Sequence, residues 1–311
     1  MKMNDKRPFK VTVVGNGAAI PSAGKYHSSQ VVNVSGKLFL MDCGEGTQKA
    51  LLENGINPQK LKAIFISHMH GDHFYGLFPL LETLALSQHP EPLMVFAPLP
   101  MGDMLNCIAK VLYNGKGFHV DYHPVDTTSH QMIYENKEVE IWSLPLKHRV
   151  LSSGYLVREK SPGLNVRKDV ITEYNFSVDE ILSIKRGEDG LRNGLIIPNN
   201  QLTYIPYIPR SYAYCTDTVY SEELIDWVKG VDLLYHEATY AARDSEMAKI
   251  NGHSTTMEAA EIASKAGVKR LLIGHFSLRY KDPELLVREA KAVFPNTEEA
   301  VMGETYNLTT E

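Results

Sequence analysis

The chain has 311 residues, 43% hydrophobic and 22% charged, with a formal net charge of −5. That is the composition of a globular protein large enough for one big domain or two ordinary ones. The negative balance argues against a generic nucleic-acid binder, which would be basic overall, although a local basic patch or a metal site could still engage phosphate. No stretch approaches the ~20 apolar residues of a membrane span. Residues 1–7 are charged and lack the apolar segment of a signal peptide. Cys43, Cys107 and Cys215 are too few and too scattered for a disulfide framework, so a reducing cytoplasm is the expected location.

Residues 10–14 read as a buried strand ended by Gly15-Asn16-Gly17, and residues 30–34 and 37–41 as a hairpin around Ser35-Gly36. A short helix is predicted over 46–53. A strand over 63–67 leads into a histidine-rich stretch, followed by a helix with Leu77, Leu80, Leu81 and Leu84 on one face. A strand over 93–97 and a helix over 101–112 come next. Residues 158–209 interrupt the pattern and read as an inserted arm rather than a second core, with one helix at 178–186. Residues 158–192 carry seven basic and seven acidic side chains, so the arm is not basic. The alternation resumes with strands at 212–216, 231–235 and 270–274. Ser221 is placed to cap a helix, Thr255 to Glu258 to form a capping box, and Asp282-Pro283-Glu284 to open the last helix.

Chemistry concentrates at His68-Met69-His70-Gly71-Asp72-His73. A quarter of the 12 histidines fall in these six residues, directly after an apolar strand. Imidazoles with a carboxylate suit a divalent transition metal, zinc above all. Further donors stand at the carboxyl ends of other apolar runs: His148, Asp217 and His275. Taken singly, each is an ordinary polar residue at a strand end. Together they complete a two-metal set at one edge of a sheet. His68 and His70 face one ion with His148. Asp72 and His73, displaced along the turn, face a second with His275. Asp217 bridges, and Gly71 supplies the backbone bend. Such a pair would activate a water for displacement at phosphorus. His253, just before a helix, could protonate the leaving oxygen, with Glu237 to orient it. His27, His89, His119, His123 and His130 show no such context.

These residues resemble the ribonuclease Z family of the metallo-β-lactamase superfamily. The matching segments are Gly15 to Pro21, Asp42 to Gln48, Ser67 to His73 with Gly76-Leu77, and Pro145 to His148 with Gly154-Tyr155. They continue with Thr216-Asp217-Thr218, His236 to Thr239, Gly252 to Thr255, and Gly274 to Ser277 with Arg279-Tyr280. The resemblance implies an α/β fold, a four-layer αβ/βα sandwich with an inserted arm at 158–209. It implies two zinc ions per subunit, with manganese or another divalent ion as substitute, on His68, His70, Asp72, His73, His148, Asp217 and His275. It further implies Asp72 as proton acceptor, His253 with Glu237 as proton donor, precursor tRNA as substrate, and a homodimer in which the arm grips tRNA for the partner's site.

The arm departs from the family pattern. Between Pro162-Gly163 and Lys185-Arg186-Gly187-Glu188 lies residues 172–178, with no Gly-Pro tip. The donor set is complete while the tRNA-gripping element is altered. A phosphodiesterase acting on small diesters or other RNA is therefore the alternative. A regulatory RNA-binding scaffold would have lost ligands. A diiron oxidoreductase on this fold would carry Glu at the position of His70.

Overall fold

The computed structural model describes residues 7–90, 92–112 and 119–309, so the reading of the extreme N-terminus falls mostly outside it. Strands β1 (Phe9–Gly15), β2 (Ser29–Val34), β3 (Lys37–Met41), β4 (Leu61–Phe65), β5 (Leu93–Ala97) and β6 (Val120–Pro124) lie side by side in that order. The first three pair antiparallel, and β3 to β6 run parallel. Alternation along each strand divides its side chains between two cores. Val11, Val13, Phe39, Met41 and Phe65 face inward. Leu38, Leu40, Leu61 and Ile64 face helices Thr47–Glu53, Leu77–Leu86 and Pro100–Leu112. The predicted leucine stripe is buried: Leu77, Leu80, Leu81 and Leu84 are at most 1% exposed.

β7 (Met132–Glu135), β8 (Val139–Leu146) and β9 (Ser152–Glu159) form an antiparallel meander. The chain then enters the arm. There β10 (Asn165–Val166) pairs with β13 (Thr203–Tyr204), and β11 (Gly190–Arg192) with β12 (Leu195–Ile197). The expected helix is present at Val178–Lys185, but Lys168–Tyr174 and Asn199–Leu202 are helical too. Val166, Val170, Phe176, Ile184 and Leu202 bury one another in a small core. This corrects the coreless reading: these apolar residues are widely spaced in sequence and meet only once the segment folds back.

β14 (Ser211–Cys215), β15 (Leu233–Glu237), β16 (Leu271–Gly274) and β17 (Thr297–Glu299) run parallel and extend the meander into a second sheet through β9. β18 (Thr305–Asn307) returns to the first sheet beside β1. Tyr155, Tyr212, Tyr214 and Tyr235 of the second sheet share the inner core with Phe39 and Phe65 of the first. Ala213, Cys215, Leu234 and Ile273 face helices Glu222–Trp227, Thr256–Ala266 and Pro283–Lys291. The layers therefore run helix, sheet, sheet, helix.

A buried tyrosine must find a partner for its hydroxyl. Tyr155 donates to the Ile66 carbonyl at 2.6 Å, Tyr214 to Asp42 at 2.8 Å, and Tyr212 to Gln30. Each bond crosses from the second sheet to the first. The backbone N–H of Ser153 crosses too, donating to the Ser67 carbonyl at 3.0 Å. The two sheets are thus fixed to each other at the edge where the donor residues emerge.

The capping boxes at Thr255 and Ser177 are formed, and Asp282 caps the last helix ahead of Pro283. Ser221 does not cap: its hydroxyl donates to the Glu223 carboxylate instead. The strand expected at 231–235 lies at Leu233–Glu237. Val231 is held in a turn by a bond to the Val228 carbonyl, so the extended backbone starts later and ends at Glu237.

Candidate metal centre

Beyond β4, Ile66-Ser67 carries the chain to His68, and His70 is extended (φ −88°, ψ 142°) before the single helical turn Gly71–Phe74. Extended backbone between His68 and His70 lets both rings reach one point, while the turn carries Asp72 and His73 to its far side. Gly71 stands where the extended backbone gives way to that turn, and it does so without a positive φ. Its lack of a side chain makes room for the Tyr75 ring, which a Cβ would meet at 2.3 Å.

The seven predicted donors converge. His70 Nδ1 lies 3.0 Å from His68 Nε2 and 3.3 Å from His148 Nε2. Asp217 Oδ2 is 3.6 Å from His68 Nε2 and 3.8 Å from His148 Nε2. The other oxygen of the same carboxylate, Oδ1, is 3.5 Å from His73 Nε2 and 3.4 Å from His275 Nδ1. Asp72 Oδ2 is 3.5 Å from His73 Nε2 and 3.4 Å from His275 Nε2. Donors bound at about 2.0–2.1 Å around a tetrahedral ion stand about 3.3 Å apart, and the separations here, from 3.0 to 3.8 Å, bracket that value, with one of the two His275 nitrogens serving as its donor. The fit to a divalent ion has a second sign. His73 Nε2 is buried without a hydrogen-bond partner between two carboxylates, an arrangement that costs free energy unless something occupies it.

A further ring of contacts fixes the imidazoles. His148 Nδ1–H donates to the Gly252 carbonyl at 2.6 Å, which leaves Nε2 facing inward. Gly252 adopts φ +78° to end helix Ser245–Asn251, and a Cβ there would sit 2.8 Å from His148 Nδ1. His68 Nδ1 contacts the Ser67 hydroxyl at 3.0 Å, and His275 Nδ1 contacts Thr239 Oγ1 at 3.1 Å. The backbone N–H of Ala19 donates to Asp72 Oδ2 at 2.7 Å and holds that carboxylate from the loop after β1.

Asp42 was not singled out as a functional residue by sequence. It follows β3, is fully buried and has φ +56°. Its Oδ2 accepts from His73 Nδ1–H at 2.7 Å, from Ser67 Oγ at 2.8 Å and from Tyr214, while Oδ1 accepts from the Ser67 N–H at 2.7 Å. The signal that found Asp217, an acid at the end of an apolar strand, was present here also.

The electrostatics divide the site. Burial, aided by neighbouring histidines, holds His68 well below the usual imidazole range, and burial lowers His70 and His148 as well. These rings are neutral and offer lone pairs. Around His73 burial is outweighed by Asp217, Asp72 and Asp42, which favour positive charge. Burial opposes ionisation of Asp217 and Asp72, yet the surrounding histidines keep both ionised.

His253 and Glu237 meet at the rim. His253 Nδ1–H donates to Glu237 Oε1 at 3.0 Å. Glu237 is fully buried and also accepts from the N–H groups of Thr218, Thr239 and Ser254. Burial would lower His253, but the Glu237 carboxylate raises it to about 9. Its ring centroid lies 5.1 Å from that of His148 and 5.8 Å from that of His275. The remaining histidines stay outside. His27 is buried beside Gly44, His89 contacts the Leu61 carbonyl, and His119 is exposed. His123 pairs with Asp121, and His130 donates to the Ser143 carbonyl between Trp142 and Trp227.

Comparison with known proteins agrees with this architecture. A profile described as "Anti-Pycsar protein Apyc1" matches residues 9–183, and one described as "Beta-lactamase superfamily domain" matches residues 199–276. The chain is 40% identical over 290 residues to a ribonuclease Z of Phocaeicola vulgatus, covering 93% of this chain and 94% of that one. It is 41% identical to a ribonuclease Z of Porphyromonas gingivalis, at 93% and 95% coverage. Among solved structures, human tRNase Z, short form, superposes with a TM-score of 0.71 at 24% identity over 97% of this chain and 100% of that one, a likeness of fold. With that degree of identity along nearly its whole length, the chain belongs to the ribonuclease Z family of the metallo-β-lactamase superfamily.

Proposed function

We propose that this protein is a metal-dependent endoribonuclease that cleaves precursor tRNA on its 3′ side and leaves a 3′-hydroxyl. The observation that carries the proposal is the convergence of seven donors onto two adjacent points with Asp217 between them, in a chain so close to ribonucleases Z. In this reading His68, His70 and His148 hold one ion, Asp72, His73 and His275 the other, and Asp217 both. The mixed nitrogen and oxygen donors favour zinc, two ions per subunit, with manganese as a substitute. The bound pair would supply an activated water and offset the charge of the phosphodiester.

The chain's own groups do the rest. Asp72, held by the Ala19 N–H, takes up the proton released by the attacking water. His253 has its Nδ1 committed to Glu237, so Nε2 is the atom that delivers a proton to the leaving 3′-oxygen. Glu237 keeps that ring oriented and charged. We also propose a cytoplasmic homodimer in which the arm reaches toward substrate. A precursor-tRNA cleavage assay with metal analysis tests the reading. Cleavage at the 3′ end with close to two ions per chain is expected, and metal-loaded protein that leaves the precursor intact would refute it.

One observation favours a second reading, hydrolysis of smaller phosphodiesters. The arm spends a basic side chain internally, since Arg192 is bound to Glu180 at 2.6 Å and to the carbonyls of Tyr174 and Asn175. Its hairpin instead exposes Leu191, Leu195 and Ile196. Phosphate contacts require Lys and Arg. Loss of precursor cleavage on arm deletion, with small-diester hydrolysis retained, would favour tRNA; equal retention of both would favour the smaller substrates.

A further inference from the structure

Beside the donor cluster, on the side of His148, lies an open cleft of about 590 Å³. Its walls are apolar where Met69, Pro98, Pro100 and Leu151 line it, and hydroxyl-bearing where Thr127 and Ser152 do. Met69 sits between His68 and His70, so the cleft begins at the cluster itself. Ser152 is 1% exposed, and its hydroxyl has no hydrogen-bond partner. A buried hydroxyl without a partner at a cleft wall is satisfied when a ligand brings one. Arg149 also lines the cleft. It is exposed, its stem runs beside Gly252, and among the described residues no hydrogen bond or ion pair engages its guanidinium.

Apolar walls, a hydroxyl awaiting a partner and a guanidinium at the mouth match the parts of a nucleotide. Bases removed from a helix are held by stacking on flat apolar surfaces and by hydrogen bonds to their edges. A guanidinium is suited to phosphate. We propose that this cleft is the subsite for a nucleotide flanking the scissile phosphodiester, with the base between Met69, Pro98 and Leu151, its edge on Ser152, and the adjoining phosphate on Arg149. The inference rests on the phosphodiesterase reading above but does not require tRNA as the substrate.

The test uses metal-loaded full-length protein and two chromogenic diesters with the same leaving group. One is a nucleotide ester of p-nitrophenol and the other is bis(p-nitrophenyl) phosphate. Val150→Trp, at a partly exposed wall position, fills the cleft. It should lower the ratio of kcat/KM for the nucleotide over the plain diester about tenfold, chiefly through KM, as expected for loss of one stacked base. Ser152→Ala should lower the same ratio about threefold, as for one neutral hydrogen bond. A ratio unchanged in both variants, or an equal fall for both substrates, would overturn the subsite. Should neither diester turn over, equilibrium dialysis with AMP decides: about tenfold weaker binding to Val150→Trp supports it, and equal binding or none overturns it. Wild-type protein that leaves precursor tRNA intact while the ratio shifts as stated would refute the tRNA assignment alone.

Discussion

His73 and Asp42 stand 31 residues apart, yet the ring of one donates a 2.7 Å hydrogen bond from Nδ1 to the buried carboxylate of the other. This bond turns Nε2 of His73 toward the proposed ion and supplies negative charge behind it. Removing such an outer partner lowers metal affinity by about 10–100-fold in other sites. Asp42→Asn is expected to do the same here, read as metal release in a chelator-competition titration. An unchanged affinity would show that the bond does not hold the ring. Asp42→Ala should in addition destabilise the fold, because Tyr214 and Ser67 lose their buried acceptor at a cost of about 1–3 kcal/mol per group.

Replacing a donor should separate from replacing the proposed acid. His68→Ala and Asp217→Ala are expected to abolish turnover and reduce bound metal. His253→Ala should cut turnover about 10²–10⁴-fold while metal stays bound. Metal analysis beside activity distinguishes the two classes. Equal metal loss in His253→Ala would mean that it belongs among the ligands.

Metal removal should be felt by the whole fold. Exhaustive chelation is expected to lower the thermal midpoint, because an ion that binds only the folded state adds stability by mass action. Readdition of zinc should restore it. An unchanged midpoint would count against ions held by donors from both sheets.

The arm gives a pH-dependent outcome. Hydrogen bonds from Arg192, with those of the Ser177 N–H and hydroxyl, pull the Glu180 carboxyl down to about 2. The folded value is below the unfolded one, so the contact contributes fully above about pH 4.3 and is lost as pH falls toward 2. Hydrogen exchange in residues 174–192 should therefore quicken across that window. Arg192→Ala should weaken the pH dependence, leaving the part due to Ser177, and raise proteolysis of the arm at neutral pH.

Much of this was legible in sequence because strand and helix periodicity are local, and because the donors sit where apolar runs end. His148, Asp217 and His275 were found in that way, more than fifty residues apart in every case. Asp42 was passed over although it met the same criterion. What marks it is its contacts, and those lie 25, 31 and 172 residues away. The arm's core escaped for the same reason. Its five buried side chains come from five separate segments, none with a period of its own. Gly71 was assigned the bend where it stands, but its spacing could not show that its missing side chain also makes room for Tyr75, four positions on.

The seven donors are divided between the layers. His68, His70, Asp72 and His73 follow a strand of the first sheet, while His148, Asp217 and His275 follow strands of the second. Neither half of the chain owns a complete set for either ion. An ion held there would act as a rivet through the seam between the sheets, and the seam would have to close before the rivet could seat. Catalytic competence would then arrive last in folding. A separated N-terminal half would hold metal only when its C-terminal half is added back.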